Sequence, residues 1–182
     1  MYTACASTDS MYCKFRSGIT SQASATRFRR LISAANCRNQ ATQQSLDDEE
    51  KKRFWEDLDE MVRGVPSNEK LFIRGDFNGH IGSSSRGYDD VHGGYRFGVR
   101  NVEGVTLLDF ARAFRLVVGN FNFPKKEVHL TTFYSSMSKT QIVFLFLKKG
   151  DRGICKDCNV LPSESISTQH RILVMDLEIR KE

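Results

Sequence analysis

The sequence predicts an α/β or α+β domain built on a mixed sheet, and three observations carry that prediction. Two amphipathic helical patterns intermix with short apolar runs of strand length, several of those runs cluster late in the chain, and 182 residues allow one domain with a real core but not two. With 40% hydrophobic and 27% charged residues, the composition is that of an ordinary globular chain, which argues against disorder and against a fibrous class.

Taken in order, residues 1–45 are rich in Ser, Thr, Ala and Gln and sustain no helical or strand period, so a poorly ordered basic extension is expected there. SATRFRRLISAA is the one stretch in it suited to a short basic helix. The net charge of +5 has its source in this segment, where Lys14, Arg16, Arg27, Arg29, Arg30 and Arg38 face Asp9 alone. The rest of the chain balances its charges, so a basic nucleic-acid footprint, or simply a solvated tail, belongs to the N-terminus. No run approaches the roughly 18 apolar residues of a membrane span, and MYTACASTDSMYCKF lacks the pattern of a secretory signal. An intracellular, reducing setting is expected, with the nucleus or an organelle import signal as further readings.

The second segment, SLDDEEKKRFWEDLDEMVRGVP, is a helix by its pattern. Ser45 or Asp47 can cap it, its first turn is acidic as the helix dipole favours, and Phe54, Trp55, Leu58, Met61, Val62 and Val65 recur at helical spacing. Gly64 and Pro66 stop it. KLFI reads as a buried strand and is followed by a Gly-, Ser- and Asp-rich loop to about Arg100, long enough to suggest a functional surface. VEGVTLLDFARAFRL predicts a second helix with Leu107, Leu108, Phe110, Ala111 and Phe114 inward. LVVGN, HLTTFY, QIVFLFL, CNVLP and RILVMDLEI are the remaining strand candidates. Cys155 and Cys158 form a lone CxxC among five cysteines, and without a second Cys/His pair at finger spacing they read as ordinary thiols rather than a zinc site.

The chemistry gathers at strand ends. In LFIRGDFNGHIG the apolar run stops at Asp76 and Asn78, two residues apart. If the backbone stays extended, both side chains face one side while Phe77 enters the core. A carboxylate there can hold a hard cation or take a proton from water, and a carboxamide can donate to an anionic oxygen, the two needs of phosphodiester hydrolysis. The alternative is an Asx turn that satisfies local backbone groups. His170 in SISTQHRILVMDLEI stands immediately before an apolar strand, where a neutral imidazole can act as a base or bond a phosphate, or simply be structural.

GDFN, a helix with LLDFA, then TTFYS (close to a THFxS pattern), QIVFLFL and a terminal QHRILVMD occur in this order. The set resembles the endonuclease/exonuclease/phosphatase superfamily, and within it craniofacial development protein 2-like proteins and the endonuclease domains of non-LTR retrotransposons. The resemblance covers residues 46–182 and not residues 1–45. It implies a four-layer α/β sandwich, here incomplete, that hydrolyses DNA phosphodiesters with Mg²⁺ or Mn²⁺. By motif match, Asp76 would handle the nucleophilic water and contribute to the metal, Asn78 would position the phosphate, and His170 would contact the scissile phosphate.

The departures from that pattern shape the expectation. The family's QID[YF] reads QIVF here, so the Asp that would orient the histidine is Val143; the residue before His170 is Gln169 where many members carry an Asp. The family's N-terminal Asn, metal-binding Glu and Tyr have no counterpart. Losing the partner that orients a base can cost on the order of 10⁴ in turnover, as serine-protease triads illustrate. Mg²⁺ needs several oxygen ligands. The expected function is therefore a partial, metal-dependent endonuclease-like domain that is inactive or very weak, holding its cation weakly if at all. Its partner would be DNA rather than a membrane or small molecule. The alternative is a non-catalytic remnant that binds a partner through the Gly82–Arg100 loop or the basic N-terminus. Of the other acidic side chains near in sequence, Asp89, Asp90 and Asp109 are the candidates for a second metal ligand. With part of the sandwich missing, the run from Val143 to Leu147 would also lie uncovered and favour aggregation.

Overall fold

A computed structural model of the chain describes residues 13–17, 30–35, 47–94, 98–121, 123–136, 138–165 and 169–178. Helix α1, Asp48–Arg63, forms as its sequence dictates. The Asp47 side chain accepts the Glu50 N–H at 2.7 Å, Asp48, Glu49 and Glu50 occupy the positive end of the helix dipole, and Leu58 and Val62 bury one face. Helix α2, Val102–Ala113, is capped by Asn101, whose Oδ1 accepts the Gly104 N–H at 2.9 Å, and it buries Leu107, Leu108, Phe110 and Ala111.

Among the described residues the strands, in chain order, are β1 Cys13–Ser17, β2 Arg30–Ala35, β3 Leu71–Asp76, β4 Leu116–Val118, β5 Phe133–Tyr134, β6 Lys139–Thr140, β7 Val143–Lys148, β8 Cys155–Ser165 and β9 Arg171–Leu177. They build a four-stranded sheet in the order β2-β3-β7-β4, a three-stranded sheet β1-β9-β8, and the small hairpin β5-β6. Strands β1 and β2 pair in parallel with β9 and β3, whereas β3-β7, β4-β7 and β8-β9 are antiparallel, so both sheets are mixed. Two stretches of the region expected to be a poorly ordered extension are thus strands of the two sheets. Parallel pairing needs no local sequence signal, only a partner elsewhere, which is why periodicity within residues 1–45 did not announce it. SATRFRRLISAA, read as suited to a helix, supplies β2 from its Arg30–Ala35 part; the remaining residues of the expected extension lie outside the described residues.

The strand period of two sorts β3 and β7 between two cores. Leu71, Ile73, Phe144 and Phe146 face the helices and join Leu58, Leu107 and Phe77; Phe72, Val143, Leu145 and Leu147 face the second sheet and join Cys158, Val160, Leu173 and Met175. Helices, first sheet and second sheet therefore stack as three layers, an incomplete version of the predicted sandwich. The expectation of an uncovered apolar run is corrected by this packing: Val143 through Leu147 are each at most 2% exposed, because β7 is sandwiched on both faces. Burying each such side chain contributes about 1.5–3 kcal/mol. Cys155 and Cys158 lie buried on β8, and burial, with Asp157 and Asp176 nearby, pushes the Cys155 thiol up to about 12. That is the ordinary, unreactive thiol the spacing suggested.

Candidate functional site

Asp76 is the last residue of β3 and only 4% exposed. By alternation with Phe72 it faces the second sheet, and across the ladder it pairs with Val143. Its Oδ1 accepts the Asn78 backbone N–H at 3.1 Å. Its Oδ2 stands 3.8 Å from Nδ1 of His170. Because His170 directly precedes β9 of the three-stranded sheet, the two side chains meet where the two sheets share a rim. Neither strand end could bring them together alone; the stacking of the sheets does.

The backbone beyond Asp76 departs from the sequence reading. β3 ends at Asp76, Phe77 turns into the helix-side core against Trp55, Phe144 and Phe146, and Asn78 takes the left-handed φ of 50°. Asn tolerates that region better than most side chains. The extended geometry that would have aligned Asp76 and Asn78 on one face is therefore not adopted; an Asx turn links them, and the Asn78 side chain is exposed. Phe77 enters the core as expected.

His170 is 8% exposed, and its neighbours fix its position. It bridges to Phe133, Arg171 N–H donates to Thr132 O at 3.0 Å, Tyr134 N–H donates to Gln169 O at 2.8 Å, and the Phe133 ring meets the imidazole edge-to-face at 5.1 Å. Burial lowers its pKa below the ordinary 6.5. At 3.8 Å the Asp76 contact is longer than a hydrogen bond, so desolvation sets the direction and the ring is neutral near pH 7. A neutral imidazole beside a carboxylate can accept a proton from water or bond a phosphate oxygen.

Two buried polar residues that the sequence reading passed over hold this rim. Thr132 Oγ1 accepts the N–H groups of Ile142 and Val143 at 3.0 and 3.2 Å, and Asn120 donates to Val143 O and accepts from Leu145 N–H. Both are at most 1% exposed. Their signal was present as short polar side chains within or ending the strand candidates LVVGN and HLTTFY, since polar groups buried there need hydrogen-bond partners.

The loop after β3 is pinned from several sides. Arg100 donates to the carbonyls of Ile81 and Ser84, and the Arg100 and Arg112 guanidinium groups lie over Tyr88 at 4.8 and 4.3 Å. Buried His92 engages Gly82 O through Nε2 at 3.0 Å and accepts the Gly94 N–H at Nδ1, which fixes Nε2 as the protonated nitrogen. The three carboxylates considered for a cation have other work here: Asp89 accepts from Ser85, Asp90 pairs with Arg112, and Asp109 accepts the Tyr88 hydroxyl.

The described residues do not fit the Mg²⁺ that the resemblance implies. Of the Asp76 oxygens one accepts a backbone N–H and the other faces His170, Val143 and Gln169 offer no carboxylate, and among the described residues no group of three or more His, Cys, Asp or Glu side chains is arranged to hold a metal ion. Among the described residues no helix is long and apolar enough to cross a membrane.

No protein-family model matches the chain. It is 26% identical over 130 residues to craniofacial development protein 2 of Tragulus javanicus and 25% identical over 130 residues to that of Bos taurus, in each case 70% of this chain and 22% of the relative. The chain thus spans about a fifth of the length of the curated relatives it matches. Among solved structures, the endonuclease domain of TRAS1, a telomere-specific non-LTR retrotransposon, is similar with a TM-score of 0.48 and 14% identity, over 71% of this chain and 52% of that one. The resemblance to craniofacial development protein 2-like proteins is borne out.

Proposed function

We propose that the chain is part of an endonuclease-like domain directed at DNA phosphodiesters, with hydrolysis absent or very weak in this chain alone. The observation that carries the reading is the approach of Asp76 to His170 within 3.8 Å at the rim shared by two sheets. Two titratable groups from separate sheets, each at most 8% exposed, have little reason to meet for stability, since burying a charge there costs more than it returns unless fully paired. The arrangement suits proton transfer to or from a phosphate or water.

Weak activity follows from the same rim. Val143 stands directly across from Asp76 where the resemblance calls for a carboxylate, so that position supplies no carboxylate to polarise the imidazole. Asn78, on its exposed left-handed turn, is the remaining candidate for the phosphate. An Mg²⁺- or Mn²⁺-dependent plasmid-nicking assay on the whole chain tests this, with Asp76→Ala and His170→Ala alongside. The expected result is no nicking above the metal-only control for all three. Robust nicking that Asp76→Ala abolishes would overturn the proposed loss of activity.

A further inference from the structure

Charges that balance along the sequence do not balance in space. At the end of the first sheet opposite the Asp76–His170 rim, α1 and α2 finish and β3 begins, five strand steps or about 17 Å from Asp76. Ion pairs there join Arg63 to Asp59, Lys70 to Asp151 and Arg112 to Asp90, and the Lys148 ammonium is taken up by the carbonyls of Pro66, Ser67 and Glu69. Arg115, Lys149 and Arg152 remain, each exposed and without an ion pair among the described residues. We propose that this end of the domain binds a nucleic-acid backbone, with Arg115, Lys149 and Arg152 as its phosphate contacts. The face is separate from the rim and adds a tethering surface that the phosphodiester reading does not supply.

Backbone geometry gathers the three cations. Lys149 N–H donates to Arg115 O at 2.8 Å, which sets the two residues side by side. Lys149 opens the 3₁₀ turn Lys149–Ile154, where residues three apart eclipse, so Lys149 and Arg152 share a face about 6 Å apart along its axis. Gly150 and Gly153 have open space where a side chain would begin, so the turn stands clear of its neighbours. Asp90, within electrostatic reach of Lys149, already pairs with Arg112. Arg115 itself holds a left-handed φ of 52° just after the C-cap of α2, a position that favours glycine or asparagine. A long cationic side chain kept on strained backbone points to a use for its charge. The sequence adds to the same end: β2 opens at Arg30 opposite Leu71, and Arg27 and Arg29 stand just before it in the chain.

The kind of partner follows from what surrounds these cations. The exposed large apolar side chains among the described residues are Val99, Val102, Val105 and Val128, and none belongs to the segments that build this end. An acidic protein partner would call for an apolar centre, and a lipid surface for apolar anchors. A phosphate backbone needs neither, because its affinity comes from cations that displace its counterions.

The test uses the whole chain without divalent metal. Fluorescence anisotropy with single- and double-stranded oligonucleotides is followed against salt for the wild type, Arg115→Gly, the double variant Lys149→Ala with Arg152→Ala, and Asp76→Ala. We expect the double variant to weaken both oligonucleotides roughly tenfold or more near about 50 mM salt, and each lost cation to reduce the slope of log K against log salt by about one. Arg115→Gly separates charge from structure. Glycine relieves the left-handed backbone, so this variant should melt at or above the wild-type temperature and yet bind roughly threefold or more weakly. Asp76→Ala should bind as the wild type does, so failure of the rim chemistry is read apart from failure of this face. Unchanged binding and slope in the variants would leave the affinity with the N-terminal segment and overturn the proposal. So would polyglutamate or phosphatidylserine vesicles that compete as well as oligonucleotides at equal charge, since the face would then belong to an acidic protein or a membrane.

Discussion

Gly104→Ala should destabilise the protein although it lies within a helix. On propensity alone the change favours the folded state by about 1 kcal/mol, because Ala is the better helix former. The structure reverses the sign. A Cβ at Gly104 would stand 1.9 Å from His80 O and 2.4 Å from the His80 carbonyl carbon, both backbone atoms that no rotamer change can move aside. Ordinary contact begins near 3.4 Å, so the loop would have to retreat by about 1.5 Å, which costs the 1–3 kcal/mol typical of overpacking. Retreat also strains Asn101, which bonds His80 through both its side chain and its backbone N–H while capping α2, and a lost cap adds about 0.5–2 kcal/mol. The net expectation is a loss of roughly 1–4 kcal/mol, or a melting temperature lower by roughly 2–15 °C for a chain of this size. Thermal and urea melts would be compared with Val105→Ala, one residue on and at the surface, which should change little. A Gly104→Ala protein that melts at or above the wild-type temperature would refute the close crossing of loop and helix.

Other expectations follow from the rim and the thiols. His170 titrates below 6.5 in the folded chain and near its ordinary value when unfolded, so the unfolded state binds the extra proton; stability present above pH 6.5 is lost as pH falls through it, and His170→Gln should flatten that slope in melts taken from about pH 7.5 to 5. An identical slope in the variant would remove His170 as its source. Val143→Asp should raise the His170 pKa by about one unit or more, read by NMR titration, because its carboxylate would face the same side as Asp76 across the ladder; an unmoved pKa would contradict the register. It should also lower stability by several kcal/mol at neutral pH, since it buries a charge opposite a like charge. Finally, Cys155, pushed up to about 12, should resist alkylation at about pH 8 in the folded chain and react on unfolding, as mapped by mass spectrometry.

Local chemistry determined much of this protein. Helical spacing and capping residues specified α1 from Asp47 to Gly64, the continuous apolar run specified β7, and the abrupt polar stop after KLFI marked Asp76 as the end of β3. Those signals are legible because hydrogen-bond capping and burial periodicity act between residues near in sequence. Tertiary structure decided what depends on distant partners. Residues 13–17 and 30–35 are strands because β9 and β3 offer them edges, not because of any period of their own. The run at β7 is covered because two layers close over it. Asn78 leaves the face of Asp76 because the chain must turn once Phe77 is drawn into the aromatic core. The pairing of Asp76 with His170, ninety-four positions apart by their numbers, exists only because two sheets stack with their ends in register, a geometry that no local stretch of sequence encodes.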